Sequence, residues 1–348
     1  MLAQNAVIKV IGLGGGGNNA IDRMITANLQ GVEFIAANTD AQILANNLAD
    51  NRIQMGDHLT KGLGAGANPE IGEKAAKEDH EKLTDALRGS DLVFITAGMG
   101  GGTGTGSAPV VAEIARQEGA LTVAVVTTPF SFEGPKRLKK ALEGIKKLED
   151  KVDALIVVEN QKLFEVLDKK TSIKDAFKMV DRVLLHGVKG ISDVINIPGL
   201  INVDFADVKT HLKDAGTVLM GIGSGSGDNL IDEASNSAVN SPLLSRTIEG
   251  AQQLLINISG SEDISLMEAT DIVNKICDAT EIDEPDVIFG VTTDENLSDD
   301  ILVTVIASGF DHQQRASRPN KIRAVAGSKT YDQNNLDIPA YLRYKIDD

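Results

Sequence analysis

Residues Gly98 to Gly106 read GMGGGTGTG, and six of these nine are glycine. The apolar run Leu92 to Ala97 leads into them, and Ser107 to Ile114, an apolar segment of helical spacing, leads out. That order is strand, glycine turn, helix. Glycine admits positive φ and lets a ligand come close to the backbone. The N–H groups of such a turn, added to those of a helix start, form an anion cradle. Thr103 and Thr105 can add hydroxyl donors. Pro109 is expected in the first helical turn, where its missing N–H costs nothing. No Gly-Lys-Ser/Thr ending follows, so the stretch is not a P-loop. The alternative is a flexible surface loop, which the apolar segments on both sides disfavour.

The pattern occurs again earlier. Val7 to Leu13 is a short apolar strand that runs into Gly14-Gly15-Gly16-Gly17-Asn18-Asn19, and a helix with apolar positions 20, 21, 24 and 25 follows. Alone this is a weak Rossmann fingerprint. The next strand, Val32 to Ala37, is followed by Asp40, at a fair distance to hold a ribose, so a dinucleotide remains possible here. Thr60 to Glu70, TKGLGAGANPE, is a third small-residue loop before a helix rich in Glu, Lys and Ala. Three loops at helix starts offer more cradle than one pyrophosphate needs, which favours a triphosphate.

Further on, Leu121 to Thr127 is a buried-type strand, and Asp153 to Asn160 another. Between them Glu133 and Arg137 stand four apart on a helix start, as a surface ion pair or as contacts to ribose or phosphate. Residues 7–160 thus read as five strands, with helices after the first four: a parallel α/β sheet whose ligand lies at the strands' carboxyl ends. A long helix is expected over 172–196, with Phe177, Val180, Val183, Leu184, Val188, Ile191 and Val194 on an apolar stripe, stopped by Pro198-Gly199. Another helix begins over 202–208, where Asn202 can cap it, and Asp204 and Asp207 share one face. Those acids either stabilise the helix dipole or polarise a water or an ion. From 211 onward four strands are expected, Thr217 to Gly223, Gln253 to Gly260, Val287 to Thr293 and Ile301 to Gly309. Helices over 228–250 and 265–280 and a hairpin turn at 294–300 complete a smaller α+β domain. Gly223 to Gly227, GSGSG, is expected to be a loop.

A chain of 348 residues can bury two cores. Its net charge of −16 argues against nucleic acid as the main partner, because phosphate backbones need a basic footprint. Cys277 is the single cysteine, so no intrachain disulfide forms. No apolar run has the length of a membrane span, and no signal peptide is apparent; a cytoplasmic location is expected. Histidines 58, 80, 186, 211 and 312 show no zinc-ligand spacing. Residues 312–329 hold five basic residues and no acid, and read as a disordered linker. Leu336 to Arg343 is apolar again, a peptide that docks on a partner or packs back on its own domain.

Taken together, GGGGNNA, NTDAQ, GLGAGANPE, GGGTGTG with SAPVVAEIA, FSFEGPKR, NVDFADV and LDIPAYLR resemble the tubulin/FtsZ family of cell-division GTPases, in the family's order and over nearly the whole chain. The resemblance implies a Rossmann-type parallel-sheet GTPase domain (1–171), a long central helix (172–198), a smaller α+β domain (199–310), a flexible basic linker (311–335) and a docking peptide (336–348). It implies that Gly15, Gly16, Gly17, Asn18 and Asn19 lie against GTP or GDP, that Ala65, Gly66 and Ala67 reach the γ-phosphate, and that Gly101, Gly102, Thr103, Gly104 and Thr105 wrap the phosphates. Glu133 would bind ribose with Arg137 beside it, Phe177 would stack on guanine, and Asp181 would pair with the base edge. Asn202, Asp204 and Asp207 would complete the active site of the next subunit in a head-to-tail homopolymer, with Mg²⁺ neutralising charge. The same resemblance places the chain at the mid-cell division site, held by a membrane adaptor through Leu336 to Arg343 rather than by its own insertion. Two features depart from the family. The linker is short, which limits reach, and the tail ends in Asp347-Asp348, which disfavours a purely electrostatic membrane contact. A nicotinamide oxidoreductase would account for Gly14 to Asn19 and Asp40 but leave the Thr60 to Glu70 loop, the Gly98 to Gly106 stretch and the paired Asp204 and Asp207 unexplained, and a non-hydrolysing scaffold would not need those two acids.

Overall fold

β1 (Ile8–Leu13) is buried along its whole length, as a central parallel strand covered on both faces must be. Around it the computed structural model describes residues 6–310, apart from 166–169, 198, 262–263, 295–296 and 298–299. The expected linker and the Leu336 to Arg343 peptide lie outside the described residues. After β1 come α1 (Gly14–Thr26), β2 (Val32–Asn38), α2 (Ala41–Ala45), β3 (Asn51–Gln54), α3 (Asp57–Thr60), α4 (Pro69–Glu78), α5 (His80–Leu87), β4 (Leu92–Gly98) and α6 (Thr103–Gln117). Next are β5 (Leu121–Thr128), α7 (Pro135–Glu149), β6 (Ala154–Glu159), α8 (Ile173–Asn196) and α9 (Phe205–Leu212). The last are β7 (Gly216–Gly225), α10 (Leu230–Val239), β8 (Gln253–Gly260), α11 (Leu266–Asp278), β9 (Asp286–Thr293) and β10 (Ile301–Ser308).

These strands form one ten-stranded sheet in the order β3-β2-β1-β4-β5-β6-β7-β10-β8-β9. β3 through β7 pair in parallel throughout. β10 runs antiparallel to both its neighbours, and β8 and β9 are parallel. Only Ala154 to Ile156 of β6, against Gly216 to Val218 of β7, joins the two halves. Alternate side chains decide the layers. Ile8 and Val10 point with Phe94 and Val125 toward α1, α8 and α9, while Ile11 and Leu13 point with Ile95 and Val126 toward α4, α5, α6 and α7. α8 covers both halves, because Val180 to Val194 pack with Ile156 of β6 and with Met220, Leu255 and Ile306 beyond the joint. β7, β8, α10, α11 and β10 enclose a further core.

Several local expectations give way here. Gly14 to Gly17 are the first turn of α1 rather than a loop. A Cβ at Gly17 would come within 2.4 Å of the Thr96 carbonyl oxygen, so glycine is what lets α1 lie on the sheet. α6 starts at Thr103, so Pro109 is inside it rather than in its first turn, and the Thr105 carbonyl loses its partner N–H. β3, a short edge strand with one buried residue, carries no apolar run to announce it. The GSGSG segment is strand as far as Gly225. Cβ atoms at Gly221, Gly223 and Gly225 would stand 2.2, 2.2 and 2.0 Å from carbonyl oxygens of α10, so the alternating glycines seat that helix. α10 stops at Val239, just before Pro242, instead of running to 250. β9 and β10 are not a hairpin: β8 lies between them. Asn202 caps no helix; its Oδ1 accepts from Gly199 N–H at 2.7 Å, and Asp204 occupies the N-cap of α9 without a side-chain bond.

Candidate functional site

Helices α2, α4, α8 and α11 begin on Asp40, Asn68, Ser172 and Ser265, whose side chains accept from the first free N–H groups. α1 and α6 do not: their N-caps, Leu13 and Gly102, offer no side-chain acceptor, and neither first turn holds an acid. Both N-termini therefore keep unpaired donors and a positive end. They also converge. A Cβ on Gly14 would meet Gly104 N at 2.9 Å, and one on Gly16 would meet Gly98 at 3.2 Å. Two uncapped helix ends side by side at the carboxyl edge of β1 and β4 make a cradle for a multiply charged anion.

Beside it opens a cleft of about 240 Å³, lined among others by Gly16, Asn19, Glu133, Arg137, Phe177 and Asp181. Arg137 Nη1 lies 3.1 Å from Glu133 Oε2, while Glu133 Oε1 accepts from Phe130 N–H at 2.9 Å. The turn holds both side chains at the cleft. Phe130, Phe132, Phe164 and Phe177 form an aromatic cluster with ring centroids 5.2–6.4 Å apart. Phe130 is buried beneath it, and Phe177 keeps 38% of its surface exposed at the cleft. One turn along α8, burial pushes the Asp181 carboxyl from 3.8 up to about 6, with Arg23 pulling it down and Asp22 pushing it up. A carboxylate held in a cleft mostly by dry surroundings gains most from a ligand that brings N–H donors.

The third loop closes on the cradle. A Cβ at Gly102 would come within 2.8 Å of both Ala65 Cβ and Asn68 N, and Gly66 and Gly101 have open space beside them. Some expected contacts are committed inside the fold. Asn18 is buried; its Nδ2 donates to the Gly12 carbonyl and its Oδ1 accepts from Asn38 Nδ2, so its backbone is what it can offer a ligand. Thr103 shares a hydroxyl bond with Thr39, and Thr105 Oγ1 accepts from Gly100 N–H, shaping the turn. Asp40 caps α2, its Oδ1 accepting from Gln42 and Ile43 N–H. Asn160 was not singled out from sequence. Its Oδ1 is buried in the cleft wall without a partner. The signal was its place at the end of a buried strand, where such sheets bind ligands.

Asn202, Asp204 and Asp207 are exposed and lie elsewhere. Phe177 and Asp181 belong to the first turns of α8; the three polar residues follow its other end. Twenty-four helical residues span about 36 Å. Among the described residues no group of three or more His, Cys, Asp or Glu could hold a metal ion. A larger groove of about 490 Å³ lies between α4, α6 and α7. Its walls carry charges of both signs, some already paired, such as Glu113 with Lys151, and none of the unpartnered buried polar atoms. No described helix is long and apolar enough to cross a membrane.

Comparison with known proteins identifies the family. Residues 7–168 match the Tubulin/FtsZ family, GTPase domain, and residues 216–311 match the FtsZ family, C-terminal domain. A structure of an FtsZ dimer from M. jannaschii is 47% identical, with a TM-score of 0.84, over 88% of this chain and 89% of that one. CetZ1 from Haloferax volcanii, a GDP-bound monomer, is 21% identical with a TM-score of 0.73, over 88% of this chain and 95% of that one, and shares the fold. CetZ2 from the same organism, a GTPγS-bound protofilament, shares it at 20% identity and a TM-score of 0.68, over 88% and 94%. With two uncapped helix ends for phosphates, a base-sized cleft and this degree of identity along most of its length, the chain belongs to the tubulin/FtsZ family and is one of its GTPases.

Proposed function

We propose that this chain assembles head to tail into filaments of the cell-division ring and hydrolyses GTP at the contact between successive copies. The phosphates lie on the N-termini of α1 and α6, with Ala65 to Ala67 over the γ-phosphate. Glu133 and Arg137 take the ribose, Phe177 stacks on guanine, and Asp181 accepts from the N–H donors of the base edge. Asn202, Asp204 and Asp207 come from the neighbouring copy and orient the attacking water. Mg²⁺, bound with the nucleotide, supplies charge neutralisation on the phosphates.

One observation carries this reading: the exposed acids follow the far end of α8, whose last residue, Asn196, lies about 22 Å along the helix axis from Asp181 and about 28 Å from Phe177. Carboxylates beside a triphosphate in a single monomer would repel it. Delivered by a partner, they make hydrolysis conditional on assembly. A contact that joins two different faces repeats without closing, which gives an open filament. That an FtsZ relative was solved as a dimer and a CetZ relative as a protofilament supports self-association. The GTPase fold and the α+β part divide the labour: one binds nucleotide, the other presents the acids, and the peptide at 336–343 reaches a membrane adaptor.

The test is GTPase rate against protein concentration. A sharp onset above a threshold is expected; strict proportionality from the lowest concentration refutes the two-copy site. Asp207→Ala is expected to retain GTP binding and filaments while turnover falls at least a hundredfold. Loss of nucleotide affinity in that variant would place Asp207 in its own subunit's site.

A further inference from the structure

The loop before α4 holds an unusual conformation. Gly64, Gly66 and Ala67 have φ of 86°, 57° and 57°. For alanine that left-handed region is unfavourable by about 1 kcal/mol or more, so something outside the residue maintains it. The inner side of the loop rests on the cradle, with Ala65 against Gly102. On the outer side, Lys140 Nζ donates to the Ala67 carbonyl at 2.6 Å. Lys140 sits on α7, three residues after Arg137, so one helix touches both the cleft and the back of this loop. The sequence gives Lys140 no distinction within the basic run of α7.

We propose that Lys140 is a positioning residue that holds the Ala65 to Ala67 loop down on the glycine cradle and thereby sets the preference for a nucleoside triphosphate over the diphosphate. This rests on the reading above, in which the loop meets the terminal phosphate. A diphosphate ends short of the loop and gains nothing from its position. A triphosphate needs the loop's N–H groups in place before it arrives, and a loop free to leave the left-handed conformation loses part of that preorganisation.

The experiment uses the full chain below its assembly threshold, so that no neighbour contributes. Affinities for GTPγS and GDP are measured by competition with a fluorescent GDP analogue, for the wild type, Lys140→Met and Lys140→Arg. The wild type prefers GTPγS. Lys140→Met is expected to cut that ratio by about three- to tenfold, the scale of one charge-assisted hydrogen bond at a half-exposed site, with GDP affinity unchanged within about twofold. Lys140→Arg restores most of the ratio. An unchanged ratio in Lys140→Met, an equal fall for both nucleotides, or a rise in the ratio overturns the proposal; the equal fall marks a merely structural lysine. If the wild type binds neither nucleotide, the parent reading fails with it.

Discussion

Asp181 allows a quantitative test of base recognition. Its carboxyl is held up at about 6 by burial. Only the ionised form accepts two N–H donors from a base edge. At pH 7.5 nearly all of it is ionised; at pH 5, one unit below that value, about one molecule in eleven is. The carboxylate's contribution to guanine nucleotide affinity should therefore fall about tenfold between those two pH values. Phosphate groups titrate near pH 6 as well, so the informative quantity is the affinity ratio of wild type to Asp181→Asn, measured by calorimetry at each pH. That ratio should fall about tenfold on acidification. Inosine diphosphate, which lacks the 2-amino donor, should bind the wild type more weakly than GDP and show a smaller difference between the two proteins. The same burial predicts an opposite effect on stability. A carboxyl whose pKa is higher folded than unfolded contributes stability below its unfolded value of 3.8, and loses it as pH rises through about 6. The nucleotide-free Asp181→Asn protein should therefore melt higher than wild type at pH 7.5 and no higher at pH 4. Superimposable pH profiles for the two proteins, or equal binding of inosine and guanosine diphosphates, would refute the assignment.

Two further outcomes follow from packing and charge. In Gly106→Ala the new Cβ would stand 2.0 Å from the Pro69 carbonyl oxygen and 2.5 Å from Glu73 N. α4 must move away from α6, at a cost of roughly 2–4 kcal/mol, read as a fall of several degrees in Tm. Lys189 Nζ lies 2.5 Å from Asp193 Oδ2 and 3.4 Å from Asp294 Oδ2, and Asp193 is almost fully buried. Lys189→Met should cost roughly 3 kcal/mol in urea unfolding by stranding that carboxylate, and adding Asp193→Leu should recover most of the loss.

How far the chain is legible from its letters depends on the range of the interaction. The five apolar strands of 7–160, the long helix from Ser172, and the three small-residue stretches at helix starts are written in short spans, where burial on one or two faces and freedom of φ select the residue locally. The cleft's Phe177 and Asp181 emerged only through the family resemblance and locally looked like core, whereas Glu133 and Arg137 read locally as an ion pair or as contacts to ribose or phosphate. Asn160 was marked only by its place at the end of a strand, its unpartnered oxygen showing in the fold alone, and Lys140 had no local mark, since what distinguishes it is a distant carbonyl.

By itself, then, the order of residues determined the strands and helices of the α/β half, its glycine turns and the positions of candidate acids, because each depends on neighbours within about one turn or one strand. Only the tertiary structure decided that β10 enters between β7 and β8, that GSGSG is strand, and that the sheet continues across β6 and β7. Those outcomes are pairings between segments tens of residues apart, and several chain routes bury the same apolar strands equally well. The same holds for the glycines at 98–106: their sequence announces an anion cradle, but its strength comes from a second uncapped helix, α1, that folding brings to the same edge.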